Sequence, residues 1–274
     1  MTLFAVSQMN SQNDIEANFV VIESLIQQSK AQGAELIVFP ENFVCFAAGK
    51  QRETAEQFES IQARLEQLAH RYEIWIIAGT LPCPFRPNGS IITDSRVRTV
   101  SLCISPERTE ARYDKIHLFD VQVSDAVGGY QESKFFEPGE DVIVAKTPFG
   151  HIGLMVCYDL RFPELALTLR QHGANILTAP AAFTYTTGQL HWQLLLQARA
   201  MDSQCYVLGA AQQGWHGEKR QTWGHSGITD SRGQLLQMVN HEGTGLITSA
   251  FELEEQEIVR SSMPLMQHRR IINY

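Results

Sequence analysis

Two stretches of this chain repeat one local pattern, and the repetition narrows the folds open to it. Gly33-Ala-Glu-Leu-Ile-Val-Phe-Pro40 and Gly173-Ala-Asn-Ile-Leu-Thr-Ala-Pro180 each read as helix, Gly-Ala, strand, Pro. Glycine stops the helix before the strand, and proline, with no N–H to give to a ladder, stops the strand. Each stretch is therefore part of a strand-helix-strand unit, the mark of an α/β fold. Two such halves fit a four-layer α-β-β-α sandwich or one doubly wound sheet, and spacing alone does not choose between them.

Other segments extend the pattern. Thr2–Ser7 reads as a strand. Asn13-Asp-Ile-Glu16 has capping-box spacing and opens a helix to about Gly33, with Ile15, Phe19, Ile22, Leu25 and Ile26 on one face. A second helical pattern covers Arg52 to Tyr72, and Ile74–Ala78 is a buried strand. Ser90 to Ile104 and Thr109 to Lys115 read as a β-hairpin, followed by a long irregular stretch from Ile116 to Gly139; loops of that length are usually functional. Helices are expected over Phe162 to His172 and Gly188 to Ser203, with strands at Asn175–Ala179, Cys205–Ala211, His225–Asp230, Leu235–Val239 and Gly245–Ala250. The tail reads as a short helix, Glu252 to Arg260, and an extended basic segment, Gln267–Arg270.

At 274 residues without a long linker, residues 1–274 are expected to form one domain. A net charge of -8 with scattered Lys and Arg argues against a nucleic-acid partner. No apolar run is long enough to span a bilayer and no secretory leader pattern opens the chain, so a cytoplasmic protein is expected, with no membrane partner. Five widely spaced cysteines without a C-x-x-C pair read as reduced thiols. No histidine pair has ligand spacing beside a carboxylate, so neither metal nor cofactor is expected.

Chemistry concentrates at strand ends. The apolar run His151–Val156 delivers Cys157 to a strand-to-helix turn, Glu41 follows Phe39-Pro40, and Lys115 follows Arg112-Tyr-Asp. Taken singly, these are an inert core thiol, a solvated loop carboxylate and a solvated cation. Together they make an acyl-transfer site: a thiol needs a base and positive charge to become a thiolate, and Glu41 and Lys115 supply them. Lys115 and the N–H of Tyr158, after the nucleophile, would receive the oxyanion. Glu132, in the long loop, is the candidate second carboxylate that raises a neighbour's pKa, so that the neighbour can protonate the departing nitrogen and then deprotonate water. Arg161, four residues past Cys157, could clamp a substrate carboxylate, with a cap or an ion pair to Asp159 or Glu164 as the plainer reading. Lys219 and Arg220 would add cations, against a solvated loop. Thr187, on the loop after Pro180, would add a hydrogen bond, and Phe183 a substrate contact.

Phe39-Pro-Glu41-Asn, Arg112-Tyr-Asp-Lys115-Ile-His-Leu118 and Val156-Cys-Tyr-Asp-Leu-Arg-Phe-Pro-Glu164 resemble the three signature segments of the nitrilase, or carbon–nitrogen hydrolase, superfamily. The resemblance covers nearly the whole chain. It implies the α-β-β-α sandwich, a Glu41-Lys115-Cys157 triad with Glu132 as accessory glutamate, hydrolysis of a small-molecule amide through a thioester, and at least a homodimer, whose partner the tail from Ser261 to Tyr274 could reach. His191-Trp192, Ala198–Ala200, Gln204–Val207, Ala210–Gln212, His216-Gly-Glu-Lys-Arg220, Gly224–Ser226 and Gln267–Arg270 resemble the Nit branch, and within it the amidases of deaminated glutathione. The ω-amidases acting on α-ketoglutaramate are the alternative; they share the Cys-Tyr-Asp and His-Trp segments but not the cluster of His216, Lys219 and Arg220. A scaffold with a vestigial site is the alternative of another class, set against the presence of Glu41, Lys115 and Cys157 together.

Overall fold

The computed structural model describes residues 2–125 and 127–271. Its first half runs β1 (Thr2–Met9), α1 (Ile15–Ala31), β2 (Leu36–Val38), α2 (Gln51–Ala55), α3 (Phe58–Tyr72), β3 (Trp75–Cys83), β4 (Arg98–Ile104) and β5 (Thr109–Asp114). A small hairpin of β6 (Asp120–Gln122) and β7 (Gly129–Gln131) and a 3-10 turn, Glu132–Lys134, follow. The second half runs β8 (Val144–Thr147), β9 (Gly150–Leu154), a 3-10 turn (Cys157–Arg161), α4 (Pro163–Gln171), β10 (Ile176–Thr178), α5 (Tyr185–Ser203) and β11 (Tyr206–Gly209). The chain ends with β12 (Ala211–His216), β13 (Arg220–Trp223), β14 (Gly227–Thr229), β15 (Leu235–Met238), β16 (Gly245–Phe251), α6 (Leu253–Ser262) and α7 (Leu265–His268).

The strands form two sheets. One has the order β13-β12-β1-β2-β3-β4-β5, with β16 also on β1; the other is β15-β14-β11-β10-β9-β8. Each is built on three parallel strands, β1-β2-β3 and β9-β10-β11, so the two repeated stretches carry the middle strand of each trio. Alternation along β1 shows the layering: Phe4 and Val6 face the second sheet's Ile152, Leu154 and Ile176, while Ala5 faces Phe19, Ile22 and Leu65 of α1 and α3. Leu165 and Leu169 of α4 and Trp192 and Leu196 of α5 cover the second sheet from outside. Four layers result, helices outside and sheets within.

Local boundaries differ where tertiary partners intervene. Asp14 rather than Asn13 caps α1, accepting from Ala17 N–H at 3.0 Å, and Glu16 pairs with Arg64 of α3 at 2.8 Å. The single helix expected over 52–72 is two: Ala55 packs with Val97 and Phe136, whereas α3 packs on the sheet. The hairpin's first arm begins at Arg98 rather than Ser90, and the stretch 116–139 contains the β6–β7 hairpin. The strand expected over 205–211 divides at Ala210, where the chain leaves the second sheet for the first, and β13 pairs with β12 where no strand was expected. Thr187 lies in the first turn of α5 rather than in a loop, since Thr184 caps that helix early. Gln267 and His268 are helical, not extended. The tail beyond residue 271 lies outside the described residues. All five cysteines are free.

Candidate active site

Glu41, Lys115 and Cys157 come from three strand ends, and close backbone contacts hold two of them. Gly79 of β3 lies so near Phe39-Pro40 that a Cβ there would sit 2.0 Å from the Phe39 carbonyl oxygen, and at Gly139 it would sit 2.1 Å from that of Asp114. Only glycine permits these approaches, one beside Glu41 and one beside Lys115. The Glu41 turn is fixed further by Asn42 N–H to Thr80 Oγ1 at 2.8 Å and by Gln212 Nε2 to the Glu41 carbonyl at 3.0 Å. Lys115 is pinned by its N–H to Thr99 O at 2.9 Å and by Gly139 N–H to its own carbonyl at 2.8 Å.

Cys157 stands at a sharp turn with φ of 50°, a left-handed conformation that a non-glycine residue adopts at some strain. Its N–H donates to Pro180 O at 2.8 Å, so the end of one repeated stretch anchors the thiol. The strand itself stops at Leu154, and α4 starts at Pro163, a favoured first helical residue. The Tyr158 N–H has no backbone acceptor among the described residues, and the Ala182 N–H faces the sulfur. Sequence reasoning missed Ala182, because a backbone donor leaves no side-chain signal.

The three side chains and Glu132 share one buried cluster. Lys115 Nζ lies 2.9 Å from Glu41 Oε1 and 2.9 Å from both oxygens of Glu132. The Phe119 N–H holds Glu132 at 2.6 Å. Burial alone would lower Lys115, but the charges of Glu132 and Glu41 outweigh it and hold the ammonium well above its usual range. Burial pushes the Glu132 carboxyl up, against the pull of Lys115. Burial, reinforced by the Glu41 charge, pushes the Cys157 thiol well above the ordinary thiol range, with Lys115 and Ala182 N–H acting in the other direction. Among the described residues no group of His, Cys, Asp or Glu is arranged to hold a metal.

The cluster opens into a cavity of about 720 Å³ that every sequence-selected site residue lines. Arg161 faces it with no acidic partner among the described residues: its guanidinium lies 5.2 Å from the Phe183 ring and contacts His191 Nδ1 at 3.3 Å. Asp159, a possible partner on sequence grounds, is engaged elsewhere by Tyr113 and His117. Thr187 spends its hydroxyl on Thr184, 2.8 Å away. Phe183 packs edge-on against Trp192. Arg220 lies against the rings of Phe46 and Tyr130, 4.7 and 5.2 Å from their centroids, with a buried Nε that no acceptor among the described residues meets. Lys219 is exposed beside it on the β12–β13 turn.

The Carbon-nitrogen hydrolase family matches residues 3–260. This chain is a carbon–nitrogen hydrolase. The hydrolase is 40% identical to a deaminated glutathione amidase of Yersinia enterocolitica over 98% of this chain and 93% of that one. The crystal structure of the Caenorhabditis elegans NitFhit protein superimposes with a TM-score of 0.89 at 35% identity; the match covers 98% of this chain but 65% of that fusion. Saccharomyces cerevisiae Nit3, a member of branch 10 of the nitrilase superfamily, superimposes at 0.85 with 30% identity over 98% and 97% of the two chains. The hydrolase is thus an amidase of the Nit branch with the nitrilase fold.

Proposed function

We propose that the hydrolase cleaves the amide of deaminated glutathione through a thioester on Cys157. Glu41 takes the thiol proton as Sγ attacks the carbonyl carbon. The oxyanion is received by Lys115 Nζ and by the N–H groups of Tyr158 and Ala182; each such donor is worth about 3 to 4 kcal/mol in the transition state. Glu41 returns the proton to the amine nitrogen as the C–N bond breaks, leaving an acyl-thioester. It then deprotonates a water that attacks the thioester, and the thiol is restored as the keto-diacid leaves. Glu132, bonded to both Lys115 and the Phe119 N–H, keeps the ammonium directed at this point.

One observation carries the substrate: the same cavity that holds the thiol also holds two guanidiniums, Arg161 and Arg220, neither in an ion pair among the described residues. Its volume of about 720 Å³ lies within the roughly 300–1,000 Å³ of pockets that enclose extended ligands. A long substrate with a carboxylate at each end meets both cations. The name of the Yersinia relative agrees. The test is release of the keto-diacid from deaminated glutathione and from α-ketoglutaramate by wild type and Cys157→Ala. Activity on the longer substrate that vanishes in the variant is expected; equal activity in both proteins would exclude the reading. We further propose a cytoplasmic homodimer, on family grounds and on the absence, among the described residues, of a helix long and apolar enough to cross a membrane. Light scattering on the purified protein tests the dimer.

A further inference from the structure

We propose that Asp159 is a positioning residue that fixes the Lys115 ammonium relative to the Cys157 thiol by tying together the two segments that carry them; this rests on the triad roles above. Asp159 is fully buried, and its oxygens gather four polar contacts. Oδ2 accepts from Val156 N–H at 2.8 Å and from the Tyr113 hydroxyl at 2.7 Å. Oδ1 accepts from His117 N–H at 3.1 Å and lies 2.7 Å from His117 Nδ1. Val156 directly precedes the nucleophile, and Tyr113 and His117 stand two residues either side of Lys115. The Ile116 N–H, donating to the Tyr113 hydroxyl at 3.3 Å, ties the lysine's own segment into the same ring. Asp159 N–H donates to Val156 O at 3.0 Å, so backbone and side chain together close the turn in which Cys157 holds its φ of 50°.

The donor set requires a carboxylate. A backbone N–H points at each oxygen, Val156 at Oδ2 and His117 at Oδ1, and neither can turn into an acceptor. An asparagine there would present its NH2 to one of them in either flip, leaving a buried donor unpaired. Asp159→Asn therefore shifts one wall of the site against the other while barely changing side-chain volume. Asp159, Tyr113 and His117 are all absent from the cavity lining, so substrate contacts are untouched.

The experiment compares Asp159→Asn and Tyr113→Phe with wild type well below their melting temperatures. It reads steady-state kinetics on deaminated glutathione and the rate of Cys157 alkylation by iodoacetamide, located by mass spectrometry. A misplacement near 1 Å can lower a rate about 100-fold, the drop in kcat expected for Asp159→Asn with KM unchanged. Tyr113→Phe, which spares both backbone donors, should lose about 10-fold. Both variants should change the alkylation rate, and the part of the change that acts through the lysine should be lost in a Lys115→Met background, leaving an effect smaller than in the wild-type background. A kcat within about threefold of wild type beside a lowered melting temperature would overturn the proposal, as would a rise in KM alone or an alkylation effect that adds fully to that of Lys115→Met. If Asp159→Asn fails to fold, Tyr113→Phe decides by the same outcomes. If wild type leaves deaminated glutathione intact, the substrate reading fails, while the alkylation coupling still decides the role of Asp159.

Discussion

Burial first, and then the Glu41 charge, push ionisation of the Cys157 thiol well above the ordinary thiol range. In the proposed mechanism the carboxylate that takes the proton is thus also a charge that opposes ionisation of the thiol. Glu41→Gln separates these effects. With the charge removed, the pH midpoint for alkylation of Cys157 should move down, while turnover falls by about 10² to 10⁴ as the base is lost. Alkylation profiles and steady-state rates measured on the same preparations check this. Retained turnover would remove Glu41 as the base. Residue identity at these positions was legible from the sequence because each follows the end of a strand, apolar before Glu41 and Cys157 and polar before Lys115. The Lys115 contact to both oxygens of Glu132 was not, because Glu132 is placed by a loop whose course depends on Phe119 and Asp120.

The β12–β13 hairpin is the element that brings Arg220 over the cavity, and His216 is built into it. The ring bonds Ser11 O at 2.8 Å and Thr222 Oγ1 at 2.8 Å and packs against Phe46. Burial, with a contribution from Arg220, pulls its pKa down to about 4, whereas an unfolded histidine takes its proton near 6.5. Between those values the unfolded chain binds more protons than the folded one. Stability present above pH 6.5 is therefore lost as pH falls towards 4, by roughly 3 kcal/mol in total. His216→Phe should flatten the dependence of melting temperature on pH across that window. An unchanged slope would show that other groups carry the acid sensitivity. The hairpin was not legible from sequence, since its two strands are short and polar and the first is interrupted by Gly214.

At the scale of the whole molecule, the cavity lies where strand ends and loops of both sheets meet: Glu41 and Lys115 follow strands of the first sheet, and Cys157 follows a strand of the second. That two-sided construction permits a substrate with two charged ends, and Arg220 is the residue that should separate long from short substrates. Arg220→Ala should lower kcat/KM on deaminated glutathione by about 10- to 100-fold and leave α-ketoglutaramate nearly unaffected. Parallel losses on both would place Arg220 in general support of the site. Sequence by itself determined the alternation of strands and helices, the duplication of the Gly-to-Pro unit, and the reactive residues at strand ends, because periodicity, glycine and proline act within a few residues. Only the tertiary structure decided that one apolar run would leave the second sheet at Ala210 to join the first. It alone gave Asp159 to Tyr113 and His117 rather than to Arg161, and left two guanidiniums with no acidic partner among the described residues in the cavity that holds the thiol. Those outcomes depend on which distant backbone donors and aromatic rings share a buried volume, and no short-range pattern encodes that.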